Sequence, residues 1–216
     1  MTRVKVCGLT NDRDAELAAR LGAAAIGMVF WPDSPRAVTV AQARRIVQVL
    51  PPLVQAVGVF VNAGPDHVAD VADAVGLDLV QLHGDESVDD WVAAPRPIMK
   101  ALTLATYPDS PWIGRARAVL LDAHDPVRRG GTGAAIDWKE ARRCAGDRPF
   151  VLAGGLTADN VARAIEEARP VAVDVSSGVE ASAGQKDPVR LRAFFDAVRQ
   201  ADDKRRQPGD AVKDEA

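Results

Sequence analysis

Cysteine is scarce in this chain. Only Cys7 and Cys144 occur among its 216 residues, and two distant thiols make no disulfide framework. Histidine is scarcer still for metal work: His67, His83 and His124 are scattered, no closely spaced Cys/His set resembles a zinc site, and no metal is expected. Positive charge is not in excess. The formal net charge is -3, which argues against a nucleic-acid surface and leaves any phosphate binding to a local arrangement. Apolar runs stay well short of the roughly 20 residues that a membrane span requires. The opening Met1-Thr2-Arg3-Val4 has no signal-peptide apolar region. A cytoplasmic location with reduced thiols is therefore the expectation, with neither nucleic acid nor membrane as partner.

What the chain has in quantity is an ordinary apolar core. Hydrophobic residues make up 47% and charged residues 26%, as in soluble globular domains. A short apolar strand, a loop and an amphipathic helix recur along it. The strands are expected at 4–7, 25–30, 55–61, 77–82, 97–102, 118–122, 149–153 and 171–175. They are nearly continuous in apolar residues, as parallel strands covered on both faces are. Helices are expected at 12–21, 40–50, 66–75, 158–168 and 187–201, with two weaker segments near 87–94 and 107–117. Thr39 and Thr157 stand where they can cap helices. Pro65 suits a first turn, and Gly22 and Gly76 suit helix ends. Eight such units predict an α/β fold of a single domain, a (β/α)8 or TIM barrel over residues 1–201. From Asp202 to residue 216 the charged sequence lacks a periodic apolar face and reads as a flexible, disordered tail.

In such a barrel the chemistry sits where the strands end. Those ends carry Cys7, Arg36 in the loop after the second strand, Asn62, His83, Lys100, Asp122, Gly154-Gly155, and Asp174 through Gly178. Cys7 is either a small buried hydrophobe or a group facing the mouth. Asp122 is either a solvated or capping carboxylate or a general acid that keeps its proton in a partly apolar site. Together, Cys7 and Asp122 can form an acid–base pair. Gly154-Gly155 and Ser176-Ser177-Gly178 end the last two strands, where barrels often hold phosphate; otherwise their glycines only make tight turns. Arg36 can clamp a carboxylate or be one surface arginine among many. His83 can donate to a substrate or satisfy a strand end. The run Arg128-Arg129-Gly130-Gly131-Thr132-Gly133 suits a lid or a plain surface loop.

These segments together resemble one family. Val4-Lys5-Val6-Cys7-Gly8-Leu9-Thr10, Ser34-Pro35-Arg36, Gly58-Val59-Phe60-Val61-Asn62, Gln81-Leu82-His83-Gly84, Leu120-Leu121-Asp122, Gly130-Gly131-Thr132-Gly133 with Asp137-Trp138, Ala153-Gly154-Gly155-Leu156, and Asp174-Val175-Ser176-Ser177-Gly178-Val179-Glu180 with Lys186-Asp187 occur in the order found in the phosphoribosylanthranilate isomerase family of tryptophan biosynthesis. Ile136 departs from the family's usual phenylalanine, and the charged tail is extra. The resemblance implies a cofactor-free Amadori rearrangement of a phosphorylated small molecule. It implies Asp122 as the acid that opens the ribose ring and Cys7 as the base that removes the C2 proton. Arg36 matches the carboxylate-holding position, and Gly154, Gly155, Ser176, Ser177 and Gly178 match the phosphate site. Asp174 and His83 match further substrate-binding positions. Lys5 or strand-end dipoles are the candidates to stabilise the Cys7 thiolate. Monomer and homodimer both occur in the family. A histidine-biosynthetic isomerase would carry a carboxylate ending strands one and five. Indole-glycerol-phosphate synthase would bring an added N-terminal segment and its own Lys/Glu set. A silent phosphate-binding barrel has no need of both Cys7 and Asp122.

Overall fold

The structure is a computed structural model, and it describes residues 1–122 and 136–206. Eight parallel strands close into a barrel in chain order: β1 (Arg3–Val6), β2 (Ala25–Val29), β3 (Gln55–Phe60), β4 (Leu79–Leu82), β5 (Ile98–Leu102), β6 (Ala118–Leu121), β7 (Val151–Leu152) and β8 (Ala172–Val175). Closure is made by β8 lying against β1, with Val4 opposite Val173 and Val6 opposite Val175. An antiparallel pair follows, β9 (Glu180–Ser182) and β10 (Gln185–Lys186). The helices are α1 (Asp12–Leu21), α2 (Val40–Gln48), α3 (Pro65–Val75), α4 (Trp138–Ala145), α5 (Val161–Ala168) and α6 (Pro188–Arg206).

The expected single-domain barrel is thus the observed one, and all eight strands lie within or close to their expected ranges. Thr39 caps α2 in a reciprocal box with Gln42, and Gly22 and Gly76 close α1 and α3 in the left-handed conformation. Four expectations differ. The segment at 87–94 forms only a single 3-10 turn, Val88–Trp91, and 107–117 forms turns and no helix. Pro108 and Pro111 remove amide donors there and disfavour helical backbone at the preceding residues. α5 starts at Val161, not at 158, because the Thr157 amide donates to Asn160 Oδ1 at 2.8 Å in a turn of its own. The last helix continues past Ala201 to Arg206. Asp202 is buried there and accepts from the Thr2 amide at 2.6 Å and the Thr2 hydroxyl at 2.8 Å. An acidic residue that looks like the start of a tail therefore anchors the N-terminus. The rest of the expected tail, 207–216, lies outside the described residues.

Successive strand side chains point alternately outward and inward. The outward set packs on the helices, with Ile26, Met28, Phe60, Leu82, Leu121 and Leu152 in the main core. A second apolar cluster (Ala25, Val57, Leu79, Met99, Ala101, Leu120, Val151 and Ala153) fills the barrel interior. Above it the interior turns polar, with Lys5, Gln81 and Asp174 replacing apolar layers. Above those, Cys7, Val29 and Val59 form a small cluster with Trp31 against it. The polar groups are thus raised toward the C-terminal mouth by a dry floor. No helix among the described residues is long and apolar enough to cross a membrane.

Candidate active site

Cys7 follows directly on β1. Its amide donates to the Val175 carbonyl at 2.8 Å, which fixes it against the end of β8. Lys5, two residues earlier and so on the same face, pairs with Asp174 on β8: Lys5 Nζ lies 2.9 Å from Asp174 Oδ1, with side chains 4% and 9% exposed. Burial disfavours the Lys5 ammonium, but Asp174 and Cys7 together outweigh burial, and the Lys5 pKa stands above the usual lysine value. Burial also pushes the Cys7 thiol up; the Lys5 charge opposes that rise, Asp174 adds to it, and Lys186 opposes it again. The thiol form is thereby favoured, with two ammonium groups acting to make the thiolate accessible. Gly27 on β2 leaves the space these groups use. A methyl group there would sit 2.8 Å from the Cys7 sulfur and 3.2 Å from Lys5 Nζ.

Asp122 follows β6, with its amide donating to the Leu102 carbonyl at 3.0 Å. Its Oδ2 lies 3.3 Å from His83 Nε2, and both side chains are mostly buried. On its other side the His83 ring meets Gln81: Gln81 Nε2 is 2.8 Å from His83 Nδ1. An amide nitrogen can only donate, so in this arrangement Nδ1 accepts and a neutral ring carries its proton on Nε2, facing Asp122. Gln81, His83 and Asp122 thus form a chain across the mouth from β4 to β6. Gln81 Oε1 is buried without a hydrogen-bond partner.

The glycine-rich endings of β7 and β8 touch. Gly154 and Gly155 both adopt positive φ, 87° and 61°, and Asn160 Nδ2 holds the Gly155 carbonyl at 2.9 Å. Ser176 leads into the 3-10 turn Ser177–Val179. A side chain at Gly178 would overlap the Leu156 carbonyl oxygen, so the two loops form one surface. Ser176, Ser177 and Gly178 are half-buried, as are Gly154 and Gly155.

Arg36 reaches back over β1 and β8 to Glu180. Its Nε donates to Glu180 Oε1 at 2.9 Å and to Oε2 at 3.2 Å, and its Nη2 donates to Oε2 at 2.7 Å. Burial alone would raise the Glu180 carboxyl, but the Arg36 hydrogen bonds and the Lys186 charge hold it below the usual carboxylate range. The Glu180 bonds raise the Arg36 pKa in turn.

The expected site residues therefore fall into three connected groups. Cys7, Asp174, Arg36 and Ser176 gather over β1 and β8; Gly154, Gly155 and Gly178 meet over β7 and β8; His83 and Asp122 pair over β4 and β6. The arginine and glycine run at 128–133, expected as a lid, lies outside the described residues. Glu180, Lys186 and Gln81 are functional residues that the sequence does not single out. Lys100, expected only as a strand-end group, is a strut: its Nζ donates to the Gly84 carbonyl at 2.7 Å and to Glu86 at 2.9 Å. For Gln81 and Lys100 the signal available is polarity inside a strand that otherwise reads as core; Glu180 and Lys186 stand in a polar stretch that offers none.

Residues 4–197 match the family model described as N-(5'phosphoribosyl)anthranilate (PRA) isomerase. The N-(5'-phosphoribosyl)anthranilate isomerase of Pseudomonas aeruginosa (strain UCBPP-PA14) is 52% identical over 203 residues, covering 91% of this chain and 95% of that protein. The crystal structure of phosphoribosyl anthranilate isomerase from Thermotoga maritima superposes with a TM-score of 0.83 at 41% identity, covering 93% of this chain and all of that one (100%). A phosphoribosyl anthranilate isomerase in complex with reduced 1-(o-carboxyphenylamino)-1-deoxyribulose 5-phosphate superposes with a TM-score of 0.78 at 40% identity, covering 93% and 100%. On these matches, which span nearly the whole barrel and its mouth, this chain belongs to the N-(5'-phosphoribosyl)anthranilate isomerase family.

Proposed function

We propose that this chain isomerises N-(5-phosphoribosyl)anthranilate to 1-(2-carboxyphenylamino)-1-deoxyribulose 5-phosphate, with Asp122 as acid and Cys7 as base. The observation that carries the reading is a thiol flanked by ammonium groups at the end of β1, in the same mouth as a carboxyl held by histidine at the end of β6. A family relative has been solved with the reduced product analogue in place.

The cycle starts from the Asp122 acid and the Cys7 thiolate, and it closes when the thiol formed returns its proton, by way of solvent, to the Asp122 carboxylate. The Asp122 carboxyl gives its proton to the ribose ring oxygen, the C1–O bond breaks, and the amine lone pair forms a C1=N iminium. The iminium acidifies the neighbouring C2–H. Cys7 takes that proton, the C–H electrons become the C1=C2 bond, and the nitrogen is neutral again. The enolamine then moves a proton from the C2 hydroxyl to C1 and becomes the ketone. The base is the thiolate, a minor form in the resting site that arises when the thiol gives its proton to solvent, and the positive iminium beside it favours that form. Arg36 is suited to the anthranilate carboxylate: its Nη1 has no hydrogen-bond partner among the described residues. The joined loops at Gly154-Gly155 and Ser176-Ser177-Gly178 suit the phosphate, with Asp174 and His83 lining the space between.

The test is loss of substrate fluorescence on mixing with freshly made phosphoribosylanthranilate. Cys7→Ala is expected to abolish turnover while product binding survives, and Asp122→Asn to lower kcat by about 100-fold or more with a smaller change in KM. Near-normal kcat in Cys7→Ala would remove the thiol as base. An Asp122→Asn effect confined to KM would make that residue a binding group.

A further inference from the structure

Three of the residues placed in the site hang on one ammonium that neither gives nor takes a proton in the reaction. Lys186, on β10, has a fully buried side chain, 0% exposed. Its Nζ donates to the Cys7 carbonyl at 2.7 Å, to the Ser176 carbonyl at 3.2 Å and to Glu180 Oε1 at 2.8 Å. These are three acceptors for the three donors that an ammonium carries. The first acceptor is the backbone of the base, and the second is the backbone of the phosphate loop. The third, Glu180, is the carboxylate that takes Arg36 by Nε and Nη2. The position of Lys186 is itself fixed, because its amide donates to Asp14 Oδ2 at 2.8 Å at the start of α1.

Stability alone is a poor reason for this arrangement. Burying an ammonium is costly, and a well-packed apolar residue commonly does as well or better. What an apolar residue cannot do is hold two strand-end carbonyls and a carboxylate at fixed distances from one point. We infer that Lys186 is a positioning residue that registers the base, the phosphate loop and, through Glu180, the carboxylate clamp against one another. The inference rests on the roles proposed above for Cys7, Ser176 and Arg36. Substrate is held at both ends, by its phosphate and by its carboxylate, and the C2–H must meet the sulfur between them. A shift of either grip relative to Cys7 misplaces the reacting atom, and a displacement of about 1 Å can cost on the order of 100-fold in rate.

The test uses Glu180→Gln, Lys186→Met and Arg36→Met, each assayed for kcat and KM. Each is also assayed for competitive inhibition by two halves of the substrate: anthranilate, which reads the carboxylate end, and ribose 5-phosphate, which reads the phosphate end. Glutamine at position 180 sets an amide donor against the donors of Arg36 and Lys186. It is expected to weaken anthranilate inhibition about tenfold and to leave ribose 5-phosphate inhibition within about twofold. Lys186→Met is expected to weaken both inhibitors and to lower kcat as well. A general loosening of the fold would move the two inhibitors together in Glu180→Gln, and that result, or no change in either, overturns the inference. So does a Lys186→Met enzyme that loses only thermal stability. Should Lys186→Met fail to fold, the split between inhibitors in Glu180→Gln decides alone. Arg36→Met separates the two levels. Unchanged anthranilate inhibition there overturns the carboxylate role itself, and with it that arm of the inference. Weakened inhibition there, beside an unaffected Glu180→Gln, overturns only the positioning.

Discussion

At the Cys7 sulfur, burial and charge pull in opposite directions. Burial favours the thiol, Lys5 favours the thiolate, and Asp174 opposes it. The active base is the ionised form, so kcat/KM should climb with pH until the thiol has titrated in the free enzyme. Lys5→Met removes a charge that lowers the Cys7 pKa, and the climb should move to higher pH. Asp174→Asn removes a charge that raises it, and the climb should move to lower pH. Opposite shifts in the two pH–rate profiles check the argument; equal or absent shifts would detach the pair from the base. Each change also breaks a buried ion pair, at about 3–5 kcal/mol, so the profiles belong well below Tm. Cys7 and Asp122 were legible in the sequence because each ends an apolar run, where a barrel exposes its chemistry. Their partners were not. Lys5 meets Asp174 across 169 residues of sequence, a pairing that exists only once β8 closes on β1. Gly27 shows the same limit. In the sequence it is one glycine inside a strand pattern, and only the neighbouring Sγ and Nζ say why a methyl group does not fit.

Among the elements, the endings of β7 and β8 act as one unit. Gly178 lies so close to Leu156 that an added methyl group would overlap the latter's carbonyl oxygen. Gly178→Ala must therefore push the two loops apart, and a phosphate gripped between them would be held out of register. The expected result is a fall in kcat/KM on the order of 100-fold, carried mainly by KM and matched by weaker ribose 5-phosphate inhibition. An unchanged KM would separate this contact from phosphate binding. Periodicity located α1, α2 and α3 closely because each carries a buried stripe and a chemical start or stop. The two weaker segments, 87–94 and 107–117, are not α-helices; in the second, the prolines at 108 and 111 oppose one. Periodicity placed the start of α5 too early because Thr157 and Asn160 make a turn first, a local competition that apolar spacing does not record.

The whole molecule is closed twice, once by the β1–β8 ladder and once by Asp202 on α6 gripping Thr2. Asp202→Ala would leave the buried Thr2 amide without its acceptor. The expected cost is about 2 kcal/mol, seen as a drop of several degrees in Tm, with kcat and KM unchanged because the clasp lies at the opposite end of the barrel from the site. An unaltered Tm would show that the clasp holds nothing. The barrel itself was legible from eight repeated units, but this clasp was not, since an acidic residue beside further charges reads as solvent-facing until its partner is seen. The grip of Lys186 on the Cys7 carbonyl, across 179 residues of sequence, also has a consequence in time. At roughly 5–20 residues per second a ribosome needs about 10–40 seconds to travel from one to the other. Throughout that interval the first strand carries a cysteine with Lys5 beside it but with neither Lys186 under its carbonyl nor a second substrate grip to work against. The reactive centre is therefore among the last things to exist in a newly made chain, and a nascent chain still short of β10 holds a thiol but no catalyst.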